Sequence, residues 1–261
     1  MQQEKNNNNF AIVIPAYNEE ATIRDVAQAA LNQCEKVIVV DDGSVDKTVE
    51  ELDALPITLI KHKVNKGKAA SLWDGFMAAV ELDVDAIITI DGDGQHSAED
   101  IPLLLNKAKV YPKDIIIGAR LADKSVIPAK RYYANKFANF WIAWAAGYPI
   151  ADSQSGFRLY PKALFDNLSI SIEHSFVFES EILIKAAQLG VYSHPVKIPA
   201  VYKKGARPSH FRGVHDIILI TKMVWKSLHT RWFFLSGLYH SCIRPRDVTK
   251  PDVKKNNVSK A

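Results

Sequence analysis

Five short apolar runs mark the first half of the chain, at residues 11–14, 37–40, 57–60, 86–90 and 114–117. They are rich in β-branched residues and continuous rather than alternating, the pattern of strands buried on both faces. Between the first two, Ile23, Val26, Ala30 and Leu31 recur at helical spacing, with Asn18 the expected N-cap. A second helix is expected after Gly67. A third is expected from Ser97, where Asp100 completes a variant of the capping box. Strand, helix, strand at this spacing predicts an α/β fold, a mostly parallel central sheet with helices on both faces.

The second half is less regular. An aromatic-rich helix is expected over 130–146, a short strand after Gly156, a helix over 178–189 and a strand around 196–202. Beyond Arg207, Ile217, Ile220, Val224 and Leu228 fall at helical spacing, with Lys222 and Lys226 on another face. Trp225, Trp232, Phe233 and Phe234 stand among basic residues. Such a segment fits a helix lying in the interface of an anionic membrane. It equally fits an amphipathic helix packed on the core. The expected organisation is a disordered leader over 1–9, one large domain over 10–205, an amphipathic segment over 206–245 and a disordered tail over 246–261.

Composition narrows the class. The chain is 48% hydrophobic and 24% charged, ordinary for a globular protein. Its formal net charge of +4 is not gathered into a contiguous basic face, so no nucleic-acid partner is expected. Cys34 and Cys242 lie far apart without metal-ligand spacing and suit a reducing compartment. The N-terminal MQQEKNNNNF has no apolar core of a signal peptide, and no stretch reaches the ~20 apolar residues of a spanning helix. A cytoplasmic protein is expected, peripheral on the cytosolic face of a membrane.

Candidate chemistry clusters at the strand ends. In open parallel sheets ligands bind beyond the carboxyl ends of the strands. Here strand one runs into Pro15-Ala16-Tyr17-Asn18-Glu19-Glu20, strand two into Asp41-Asp42-Gly43-Ser44, and strand four into Asp91-Gly92-Asp93-Gly94-Gln95-His96. So many carboxylates at one edge repel unless something positive sits among them, and a divalent cation is the simplest candidate. Asp91 and Asp93 can share a cation if Gly92 permits the turn, and Gln95 adds a neutral oxygen. Hard oxygens with open positions suit Mg²⁺ or Mn²⁺ bound together with a diphosphate. The same residues also fit a polar turn. Asp42 reads as an acceptor for a base or ribose, or as a cap. Lys66-Gly67-Lys68 reads as a phosphate contact, or as a solvated loop. Neither a P-loop nor a Gly-x-Gly-x-x-Gly dinucleotide motif occurs.

Taken together, IPAYNEE, VVDDGS, NKGKAASLWDGF, ITIDGDGQH, IIGAR and DSQSGFRLY resemble family 2 glycosyltransferases, and within them the dolichol/polyprenol-phosphate mannosyltransferase group. The resemblance covers roughly residues 11–212 and implies the GT-A fold. It implies that Pro15, Tyr17 and Glu19 line the nucleotide pocket, with Asp42 near the base or ribose and Lys68 near the nucleotide. Asp91, Asp93 and Gln95 match the metal-binding motif, Asp91 also facing the donor. Arg120 would sit near the phosphates, with Arg131 a second acceptor-site arginine. Ser155 belongs to the matching Ser-Gly-Phe-Arg segment. Arg207 lies in a basic stretch that departs from the group's pattern, having His210 where lysine is usual, which leaves the acceptor open.

The implied activity is inverting transfer from a GDP- or UDP-sugar to polyprenyl phosphate, with Mg²⁺ or Mn²⁺ stabilising the leaving diphosphate and Lys68 and Arg120 assisting. A hydroxyl acceptor on a lipid or cell-surface polysaccharide would need a carboxylate base, for which Asp152, then Glu179 and Glu181, are candidates. Glu179 and Glu181 also suit the dipole of a helix start. A nucleotidyltransferase or a silent binding module are the remaining readings. PAYNEE lacks the glycine- and arginine/lysine-rich loop of the former, and Asp42, Asp91 and Asp93 argue against the latter.

Overall fold

The computed structural model describes residues 9–119, 129–170, 177–198, 221–222, 224–225, 227–229 and 234–243. Seven strands form one sheet: β1 (Phe10–Ala16), β2 (Val37–Asp41), β3 (Thr58–Lys61), β4 (Ala86–Thr89), β5 (Ile115–Ala119), β6 (Arg158–Pro161) and β7 (Ser193–Lys197). Their order across the sheet is β3-β2-β1-β4-β6-β5-β7. All pairings are parallel except those of β6, which runs antiparallel to β4 and β5.

The continuous apolar runs have the expected cause. Along β1, Ala11 and Val13 face one core and Ile12 and Ile14 the other, all fully buried. Helices α1 (Ile23–Leu31) and α4 (Ile101–Val110) cover one face through Ile23, Val26, Ala27, Ile101 and Leu104. On the other lie α3 (Lys68–Val80), α5 (Ala129–Ala146) and α6 (Phe178–Gln188). Phe76 of α3 anchors that side, its ring 5.2 Å from Tyr160 and 4.7 Å from Phe165. Truncating such a side chain to alanine costs about 3–5 kcal/mol.

Several local expectations are corrected. Asn18 does not cap α1. It sits at φ 54, its Oδ1 accepts from Val45 N at 2.9 Å, and Thr22 holds the N-cap position. An asparagine can serve a left-handed turn as well as a helix start, and here the turn wins. Ser97 does accept a backbone amide, from Glu99, but of a 3₁₀ turn over Ala98–Asp100 that precedes α4. The last strand begins earlier than expected, at Ser193, because it pairs in parallel register with β5 (Ile115 opposite Ser193). A short helix α2 (Thr48–Glu51), not foreseen, follows the loop after β2.

The described part of the C-terminal segment contains α7 (Leu235–Leu238). Val224 and Leu228 are buried in the core that also holds α5, while Trp225 stays exposed. These two residues of the stripe therefore pack on the domain; Ile217 and Ile220 lie outside the described residues. No described helix is long and apolar enough to cross a membrane.

Candidate active site

Strands β2, β1 and β4 are neighbours and parallel, so the three polar loops that follow them emerge side by side. They are fastened to one another. Asn18 N donates to Ser44 Oγ at 2.8 Å and Glu19 N to Thr48 Oγ1 at 2.7 Å. Thr22 Oγ1 donates to Gly92 O at 2.7 Å, which ties the loop after β4 to the start of α1. The reversal of β6 adds a fourth segment. Because Arg158 opposes Thr89, the chain entering β6 arrives at the edge where β4 leaves. Thr89 Oγ1 donates to Gly156 O at 2.7 Å and locks that approach.

At this edge Lys68, first residue of α3, lies 2.7 Å from Asp91 Oδ1 and 3.1 Å from Glu179 Oε2. Desolvation works against the ammonium, but the Asp91 and Glu179 carboxylates outweigh it and hold its pKa above the ordinary lysine value. Positive charge is thus present among the carboxylates, as their repulsion demanded. Gly156 gives Asp91 its space: a Cβ there would stand 2.8 Å from Asp91 Oδ1 and nearer still to Oδ2.

Asp93 Oδ1 accepts from Gln95 N at 3.0 Å, so Asp93 and Gln95 share the turn after Asp91. No cluster of three or more His, Cys, Asp or Glu side chains is arranged for a metal among the described residues. Asp91, Asp93 and the Gln95 amide oxygen carry hard oxygen donors, the chemistry that would suit a divalent cation such as Mg²⁺ or Mn²⁺.

The other expected residues sort by position. Pro15 is buried in β1, and Tyr17 and Glu19 are half-buried in the loop it feeds. Asp42 is buried. Its Oδ1 lies 2.7 Å from His62 Nδ1 and accepts from Lys66 N at 2.8 Å, and its Oδ2 accepts from Gly67 N at 2.8 Å. It therefore serves first as the brace of the loop that starts α3. Each carboxylate oxygen offers two acceptor positions, so Oδ2 retains capacity for a ligand donor.

Two of the expected residues are fully buried. Ser155 is fully buried and its Oγ donates to Gly118 O at 2.6 Å, which fastens the segment to β5. Asp152 is fully buried too, its Oδ1 accepting from Gln154 N at 3.3 Å and its charge near Arg158. What reaches the Lys68–Asp91 pair is Glu179. Arg120 and Arg207 lie outside the described residues. Arg131 stands in α5, but its side chain is not among those described.

Arg158 is the organiser that the motif gave no role. Fully buried, it donates from Nε to Ser155 O at 2.7 Å, from Nη2 to Ser153 O at 2.8 Å and from Nη1 to Glu179 O at 2.7 Å. One guanidinium thus sets both the loop before β6 and the start of α6. Its five fixed donors suit it to that task. Desolvation opposes its charge, yet Tyr160, Glu179 and Asp152 together raise its pKa. Burial in turn pushes the Tyr160 hydroxyl up to about 12. Asn139 of α5 completes the loop's support, donating to Ala151 O and accepting from Ser153.

The chain is similar to known proteins. The profile described as Glycosyl transferase family 2 matches residues 11–185. A UDP-N-acetylglucosamine–dolichyl-phosphate N-acetylglucosaminyltransferase of Methanococcus voltae is 29% identical over 210 residues, 71% of this chain and 84% of that protein. A polyprenol monophosphomannose synthase of Mycolicibacterium smegmatis is 26% identical over 192 residues, 69% of this chain and 72% of that one. Among solved structures, glucosyl-3-phosphoglycerate synthase from Mycobacterium tuberculosis, in complex with Mn²⁺, UDP and glucosyl-3-phosphoglycerate, is similar with TM-score 0.59 and 18% identity. That match covers 87% of this chain and 81% of that one, a likeness of fold alone. Sheet order, clustered strand-end carboxylates and a family profile spanning most of the chain lead to one conclusion: this is a GT-A-fold enzyme that belongs to glycosyltransferase family 2.

Proposed function

We propose that the chain moves a sugar, with inversion, from a nucleotide-diphospho-sugar to polyprenyl phosphate at a membrane surface. The observation that carries this reading is the meeting of Lys68 with Asp91 and Glu179 where three elements converge at the carboxyl edge of the sheet. Pro15, Tyr17, Glu19 and Asp42 line the nucleotide side of that edge. Asp91, Asp93 and Gln95 would hold a divalent cation, Mg²⁺ or Mn²⁺, whose charge offsets that of the departing diphosphate. Lys68 adds a fixed ammonium beside the same leaving group, held in place before the reaction begins. Arg120, Arg131 and Arg207 are assigned to the acceptor phosphate.

A lipid phosphate brings its own nucleophilic oxygen, since its second pKa is about 6 by analogy with phosphorylated residues. The chain then has only to orient it. One observation favours a second reading with a hydroxyl acceptor. Glu179 Oε1 is buried and takes no hydrogen bond among the described residues. A carboxylate oxygen so placed can accept a proton from an attacking hydroxyl.

Membrane contact has support in α5 and the C-terminal segment. The inner face of α5, through Ala138, Ile142 and Ala145, is in the core. Its outer face carries Tyr133, Phe137 and Phe140, which are 70%, 44% and 41% exposed, with Lys136 exposed beside them. Between Lys203 and Arg246 the chain has nine lysines and arginines against one acidic residue, Asp216. Exposed aromatics beside cations suit the headgroup region of an anionic bilayer.

The test is transfer of radiolabel from UDP- and GDP-sugars to polyprenyl phosphate in the presence of Mn²⁺ or Mg²⁺. A lipid product cleaved by mild acid supports the phosphate acceptor. A product resistant to mild acid and mild base moves the assignment to the hydroxyl acceptor, and no transfer to any acceptor overturns both.

A further inference from the structure

His62 lies outside every motif, just past the end of β3, yet it is among the most tightly held polar groups at the edge. Its side chain is 3% exposed. Nδ1 stands 2.7 Å from Asp42 Oδ1 and Nε2 2.8 Å from Asp74 Oδ2. Each ring nitrogen is thus within hydrogen-bond distance of a carboxylate oxygen, and the imidazole bridges the two acids. Asp42 belongs to the loop after β2, and Asp74 sits in α3. His62 therefore staples the helix to the sheet edge. Lys66 Nζ also approaches this junction, 3.9 Å from Asp74 Oδ2.

The staple matters because the N-cap position of α3 supplies no side chain. Its N-cap residue is Gly67, at φ 91, with no side chain to receive backbone amides. Asp42 instead holds the turn that leads into the helix, taking the amides of Lys66 and Gly67. The next residue is Lys68, which reaches Asp91 and Glu179. Without His62, Asp42 keeps only the two backbone donors and turns toward solvent, since a buried carboxylate with too few partners is costly.

We propose that His62 is a positioning residue of the donor site, clamped between Asp42 and Asp74 so that Asp42 and the turn leading to Lys68 stay set for the nucleotide. This inference rests on the reading of the edge as the donor site.

The experiment titrates UDP and GDP, each with Mn²⁺, into the full chain and into His62→Leu, His62→Gln, Asp42→Asn and the Asp42→Asn/His62→Leu double variant. KM for donor and acceptor is measured in parallel. His62→Leu should weaken nucleotide binding by about ten- to a hundredfold, the scale of one buried charge-assisted hydrogen bond. Acceptor KM should stay within about twofold. His62→Gln, which keeps one donor for Asp42, should recover part of the loss and stands in if the leucine variant fails to fold. The double variant should bind no worse than Asp42→Asn alone, because His62 acts through Asp42. Equal losses for donor and acceptor, additive losses in the double variant, or unchanged nucleotide affinity in folded His62 variants would overturn the proposal and leave the transferase reading standing. Absence of UDP and GDP binding in the unaltered protein would overturn both.

Discussion

Replacing Gly156 with alanine isolates the geometry of Asp91 from everything else in the fold. Gly156 is not among the residues with positive φ, so alanine imposes no backbone strain there. Its Cβ would stand 2.8 Å from Asp91 Oδ1, whereas ordinary contact begins near 3.4 Å, and Oδ2 is closer still. The carboxylate must withdraw by at least the difference, about 0.6 Å. That displacement falls on the atom 2.7 Å from Lys68 Nζ. Misplacing a reacting constellation by about 1 Å costs on the order of a hundredfold in rate, so a loss of ten- to a hundredfold in kcat/KM is expected. Stability should scarcely change. Alanine restricts the unfolded chain, a gain of about 0.4–1 kcal/mol that offsets local repacking. A melting shift within about 4 °C follows for a chain of this size. The assay is donor-dependent transfer kinetics beside a thermal melt. Activity within about threefold of the unaltered enzyme at an unchanged melting temperature would refute the claim that Asp91 must occupy this position.

Lys68→Met keeps the aliphatic stem and removes the charge, leaving Asp91 and Glu179 facing each other. We expect a loss of about 1–3 kcal/mol by chemical denaturation, nearer the lower figure because Lys68 is 38% exposed. Transfer should fall by about 10²–10³-fold, the scale of one lost electrostatic stabiliser. The pH dependence has a definite sign. A raised lysine pKa gives stability that is complete below the unfolded value of about 10.4 and lost only as pH climbs through the higher folded value. The melting difference between the unaltered chain and Lys68→Met should therefore be flat from about pH 7 to pH 9; a steady decline across that window would contradict it. Phe137→Glu/Phe140→Glu should reduce flotation with anionic vesicles by at least about tenfold, each ring forfeiting roughly 1.5–3 kcal/mol of burial, without lowering turnover of a detergent-dispersed acceptor. Vesicle binding equal to that of the unaltered chain would remove α5 from the membrane surface.

The strands were legible because β1, β2, β4 and β5 are buried on both faces, which leaves continuous apolar runs. The three strand-end loops were legible because carboxylates crowded at one edge repel unless positive charge sits among them. Contacts made at long range were not. Asp152 ranks first among the candidate bases because it lies in the segment with Ser-Gly-Phe-Arg; that it is fully buried, and that α6 brings Glu179 to Lys68, depend on distant parts of the chain. Nothing in the spacing around Arg158 reveals that its guanidinium joins Ser153, Ser155 and Glu179, since the last is 21 residues away. His62 gave no signal either: a histidine between two lysines after a strand reads as solvated loop until α3 brings Asp74 against it. The antiparallel direction of β6, which brings its loop to the site, follows from pairing with β4 and β5 and not from any local pattern.

Calorimetric titration of UDP and GDP with and without Mn²⁺, on the unaltered chain and on Asp93→Ala, tests the central claim most directly. The account predicts metal-dependent binding of at least one nucleotide by the unaltered chain, and loss of that metal dependence in an Asp93→Ala variant with an unchanged circular dichroism spectrum. Binding in Asp93→Ala that keeps its full dependence on Mn²⁺ would contradict it.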